Sequence, residues 1–153
     1  MKLRPLILRS FFWLAVFGLL FACESEKAQE TEFVRQQNYF LQAVELVESA
    51  GQILQGNGLN RQEIDQAMQR LDQGLQKAYE VRRDFLQRID VRLPKLFPEL
   101  FIKGVETYRI GVEGSDRAQQ LEGLRLIRQW SQFWRAEKAG ILNKLLGSYS
   151  AQH

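Results

Sequence analysis

Residues 60–90, NRQEIDQAMQRLDQGLQKAYEVRRDFLQRID, decide the fold class. Ile64, Ala67, Met68, Leu71, Leu75, Ala78, Phe85, Leu86 and Ile89 recur at intervals that place side chains on one face of an α-helix. Asn60 stands at the N-cap position with Glu63 three residues on, the pairing of a capping box in which each side chain accepts the other's backbone N–H. The spacing predicts one long helix that continues to near Arg92. Pro94 stops it, because a proline ring disfavours helical geometry in the residue before it.

Upstream, a helix is expected from about residue 30 to 55, with Phe33, Phe40, Val44, Val47 and Leu54 along one side. Gly56-Asn57-Gly58 ends it. Downstream, Pro98 suits the first turn of a third helix carrying Leu100, Phe101, Val105 and Tyr108, which Gly111 and Gly114 close. Ser115 or Asp116 then caps a fourth helix to about residue 146, with Leu124, Ile127, Trp134, Ile141 and Leu145 on its central line. Nothing alternates apolar and polar beside a hairpin turn, so strands find no support. Four helices with short connections predict an all-α, antiparallel bundle, up-down-up-down unless the short third helix packs across an end. No repeat of helical-hairpin type occurs, which counts against a solenoid.

The N-terminus is organised differently. Lys2, Arg4 and Arg9 precede an apolar run over 11–21, and Leu20-Phe21-Ala22-Cys23 closes it. Ala22 supplies the small residue of a cleavage site, and Cys23 is the single cysteine of the chain. The segment resembles the signal peptide and lipobox of bacterial lipoprotein precursors, with Phe21 larger than is usual there. A transmembrane anchor would want ~20 consecutive apolar residues, and Arg9 and Ser10 interrupt this stretch. An ordinary secretory signal would leave a free thiol in an oxidising compartment. The resemblance implies cleavage before Cys23 and covalent lipid on it, whose several acyl chains give stable attachment to a bilayer. Glu24-Ser25, rather than an aspartate, after the cysteine implies the outer membrane, facing the periplasm. The chain then divides into a signal peptide (1–22), a polar lipidated tether (23–31), the bundle (32–147) and a disordered tail (148–153).

Cleavage changes the charge. The 153 residues carry 21 basic and 18 acidic side chains, and the signal holds three of the basic ones and none of the acidic. The remaining 131 residues hold 18 of each. A nucleic-acid binder carries a basic excess or stripe, so nucleic acid is excluded as a partner. A chain of that length is one domain in size and can bury a substantial core.

Catalytic signals are missing. The sole histidine is His153, the last residue, which removes Ser-His-Asp and Cys-His sites, zinc proteases and histidine-bearing di-iron bundles together. Carboxylates such as Glu45 with Glu48, or Glu63 with Asp65, carry no distinguishing pattern, and charged helix faces are ordinarily solvated. The expectation is a non-enzymatic protein with no metal and no cofactor beyond the covalent lipid on Cys23.

Three local features bear on partners. Arg82 and Lys138 fall on apolar lines; each either snorkels to water or forms a buried link, such as Arg82 with Glu48. Leu126, Trp130 and Phe133 form a second stripe beside the central line of the fourth helix, packing on a further neighbour or docking a partner. Residues 93–101, LPKLFPELF, form an unusually apolar connector that either caps the bundle with Leu96 and Phe97 or presents Phe97 outward. The expected role is a membrane-anchored adaptor for protein–protein interaction or envelope assembly, its partner an envelope protein. A pilotin-like chaperone, an inhibitor or immunity lipoprotein, and a small-molecule carrier using a bundle cavity are the alternatives, since fold alone does not choose among them.

Overall fold

The computed structural model describes the backbone of residues 8–56, 58 and 60–150, and the side chains of 31–56, 58 and 60–147. Regular structure among them is wholly helical, with no strand. The chain divides into two compact units, Met1–Arg35 and Gln36–His153. In the first unit Arg35 pairs with Glu32 on helix α1, which is Leu8–Leu54. That helix takes in residues assigned above to a polar tether; Glu, Lys, Ala and Gln, which fill this stretch, are strong helix formers. The side chains of Leu20, Phe21, Ala22 and Cys23 lie outside the described residues, as does His153.

The second unit adds α2 (Arg61–Tyr79), α3 (Arg83–Ile89), α4 (Leu93–Leu96), a π-helical segment (Phe97–Ile102), α5 (Lys103–Glu113) and α6 (Arg117–Ser150). From Leu93 to Glu113 the helical backbone is unbroken, so the described chain has five helical rods where the spacing predicts four. Residues 148–150, expected in a disordered tail, continue α6.

The extra rod comes from a break in the long second helix. The capping box forms at its start, with Asn60 Oδ1 accepting the Glu63 N–H and Glu63 Oε2 accepting the Asn60 N–H, both at 2.9 Å. The helix nevertheless ends at Tyr79, and Arg82 is extended at φ −79°, ψ 144°. Gln36, only 4 % exposed, accepts the Arg82 N–H at 2.7 Å, replacing the helical bond that this residue gives up. Arg82 is therefore not on an apolar line. It pairs with Asp84 at 2.8 Å, while Lys138 lies 4.0 Å from Glu48, and both basic groups reach water.

The apolar connector is helical too. Pro94 sits in the first turn of α4, where its missing N–H costs nothing. Pro98 falls inside the rod rather than at a helix start, and its ring cannot accept ordinary α-helical spacing. The backbone widens there into π geometry, and the Lys103 N–H donates to the Pro98 carbonyl five residues back. Gly111 likewise lies within α5 instead of ending it.

Two hairpins organise the packing. In α1/α2, Ser49 meets Arg70 and Tyr39 meets Lys77, an antiparallel register. A Cβ on Gly74 would lie 2.8 Å from Val47 Cγ2, so the glycine lets these helices close. In α5/α6, Gly104 faces Leu126 and Ile127, and Gly123 faces Tyr108, also antiparallel. The core draws Phe40, Val44 and Val47 from α1, Leu71 and Leu75 from α2, and Phe85, Leu86 and Ile89 from α3. Leu93, Phe97, Phe101 and Val105 line the unbroken rod, and Leu126, Trp130, Trp134, Ile141 and Leu145 come from α6.

Candidate functional site

The stripe and connector offered above as contact surfaces face inward. Phe97 is 1 % exposed, stacked on Phe101 at 4.9 Å and tilted against Phe40 at 5.4 Å. Trp130 stands edge-on to both Phe97 and Phe101, at 5.5 and 5.2 Å, and lies parallel to Trp134 at 6.1 Å. Leu126 is buried, whereas Leu96 and Phe133 are half-buried. The Arg92 guanidinium covers the Phe133 ring at 5.0 Å. These side chains form one aromatic core, of the kind edge-to-face and offset pairs favour. The Trp130 and Trp134 ring N–H groups are buried without a hydrogen-bond partner.

What is left open is the start of the central line of α6, whose later members Trp134, Ile141 and Leu145 are buried. Leu124 is 38 % exposed and Ile127 half-buried, although the spacing puts both on the central line. The close seat of α5 on α6, where Gly104 meets Leu126 and Ile127 and Gly123 meets Tyr108, covers Leu126 and part of Ile127 and leaves Leu124 outside it. A cavity of about 300 Å³ opens on the remaining side. Val47, Gly51 and Leu54 of α1 form one wall, and Leu124, Ile127 and Ser131 of α6 form the other. Leu71 and Tyr108 complete the floor. Burial pushes the Tyr108 phenol above its ordinary value of 10.0, with Arg117 opposing, so it stays neutral. Gln55, Arg128 and Arg135 stand at the rim, all exposed.

Residues 121, 124, 128, 131 and 135 share one stripe of α6 at three- and four-residue spacing, and its two basic members are the signal that could have marked the groove. Arg135 Nε donates only to the Ser131 carbonyl at 3.3 Å, and neither arginine has a carboxylate partner among the described residues.

Two polar clusters lie elsewhere. Arg92 bridges Asp90 of the α3–α4 turn, at 2.9 Å, to Glu137 of α6, at 2.8 Å. Hydrogen bonds from Arg92 hold the Asp90 carboxyl down at about 2. Between α2 and α5, Arg109 pairs with Asp72 at 2.9 Å and Tyr79 donates to Glu106. Desolvation and that acceptor push the Tyr79 phenol up to about 12. Both clusters are ion pairs and hydrogen bonds that join elements of the fold. No group of three or more His, Cys, Asp or Glu among the described residues could hold a metal ion, and no described helix is long and apolar enough to cross a membrane. Comparison with protein-family models, with curated proteins and with solved structures finds no match to this chain.

Proposed function

We propose that the chain is a lipid-anchored, non-enzymatic docking module of the bacterial envelope. Cys23 is the acylated residue, the outer membrane its anchor, and a periplasm-facing protein its partner. The observation that carries the docking role is the groove: an apolar-lined cavity of about 300 Å³ rimmed by Arg128 and Arg135, which have no carboxylate partner among the described residues. Such a site combines burial for affinity with charge for orientation. It supplies no paired acid and base and no nucleophile beside a base, as covalent or general acid–base chemistry requires.

A crosslinked pull-down of the lipidated protein from intact envelopes tests the role. One envelope protein is expected. Recovery of bound small molecules and no protein would overturn the docking reading in favour of a carrier. For the anchor, Cys23→Ser is expected to leave uncut precursor and to release the chain from membranes on detergent-free washing. Unchanged processing in the variant would contradict acylation at this cysteine.

A further inference from the structure

Resting on the docking reading above, we infer that the groove accepts an amphipathic helix of the partner that carries two carboxylates about two turns apart beside its apolar stripe. Charge fixes the chemistry of the occupant. Arg128 and Arg135 stand seven residues apart on one helix, a separation of ~10 Å along the axis. Carboxylates at i and i+7 of a helix lying along the groove match that span. By contrast, Arg125, one turn from Arg128, is closed onto Glu122 at 2.7 Å and offers nothing to a visitor. A fatty acid brings a single carboxylate and would leave one of the two rim charges unanswered.

Space fixes the shape. A Cβ on Gly51 would meet nothing within 4 Å, whereas those on Gly74, Gly104, Gly111 and Gly123 would meet packed neighbours. Gly58, in the exposed turn after α1, and Gly140 and Gly147, exposed on α6, also face open space, and of the four only Gly51 lines the cavity. A glycine inside a helix costs up to ~1 kcal/mol relative to alanine, and Gly51, in the last turn of α1, has no close packing among the described residues to offset its share. The α6 wall from residue 124 to 135 is ~16 Å long, enough for three turns of a second helix. Leu121, 53 % exposed on the same stripe, extends the apolar lip beyond Leu124.

The test uses the full lipidated chain in cells, with a photocrosslinking phenylalanine analogue placed either at Leu124 in the groove or at exposed Tyr79 outside it. Crosslinking from position 124 is expected to trap a partner segment bearing two acidic residues seven apart. The double variant Arg128→Glu, Arg135→Glu should weaken that band at least about tenfold with circular dichroism unchanged, since both side chains are exposed. A band that survives the charge reversal, a trapped segment without paired acids, or a trapped lipid would each overturn the inference. A partner trapped from Tyr79 alone would overturn this site while leaving the docking role standing. No protein trapped from either position would overturn both.

Discussion

Asp90 accepts three hydrogen bonds from Arg92: the backbone N–H at 2.9 Å, Nε at 3.0 Å and Nη2 at 2.9 Å. The same guanidinium reaches Glu137 on α6, so a single side chain fastens the α3–α4 turn to the longest helix of the second unit. The pairing holds Asp90 at about 2 against an ordinary 3.8. A depressed carboxyl stabilises the fold above its unfolded pKa, and that contribution falls away as the pH drops through the folded value. The stability difference between wild type and Asp90→Asn is therefore expected to be constant above pH ~4 and to vanish near the folded value of about 2. Urea unfolding at stepped pH measures it. A difference that persists at the acid end would mean that Asp90 acts through packing rather than charge.

At the scale of elements, the α5/α6 hairpin depends on backbones touching. A Cβ on Gly123 would come within 2.3 Å of the Tyr108 nitrogen, which is backbone and cannot swing aside. Gly123→Ala is expected to destabilise the protein by ~3 kcal/mol, at the upper end of overpacking costs, read by denaturant unfolding. The turn between these helices holds Ser115 at φ 54°, a left-handed conformation that penalises any Cβ. Ser115→Gly should stabilise by ~1 kcal/mol; a loss instead would show that the serine side chain contributes there. The cap of α6 is the next residue, with Asp116 Oδ1 accepting the N–H groups of Ala118 and Gln119.

How much of this was legible follows from where each cause lies in the chain. The Asn60–Glu63 box and the buried faces of α1 and α2 are set by residues within one or two turns, so local spacing reveals them. The break after Tyr79 has no glycine or proline to announce it. It is set by Gln36, whose side chain meets the Arg82 backbone from 46 positions upstream. The groove was hidden for a related reason. Both stripes of α6 are apolar and largely buried, Leu126 and Trp130 on one and Trp134, Ile141 and Leu145 on the other, so spacing alone does not show that Leu124 is left open.

On the scale of the whole molecule, Gly51 sets stability against docking. It lies in the last turn of α1, no φ strain excludes a side chain, and the space in front of it is the cavity itself. Gly51→Leu removes the helix penalty of glycine, at most ~0.8 kcal/mol in this last turn, and lays an aliphatic side chain against Leu54, Leu71 and Ile127, which buries further apolar surface. The variant should melt several degrees higher, ~4 °C or more for a domain of this size. It should also lose the partner in the crosslinked pull-down, because the floor that a docking helix would cover is already filled. Scanning calorimetry and pull-down on one variant thus move in opposite directions, as expected where a binding surface is kept open at the expense of the fold. A stabilised variant that still captures its partner would show that the groove is vacant for some other reason. A destabilised one would show that Gly51 is packed more closely than its open surroundings imply.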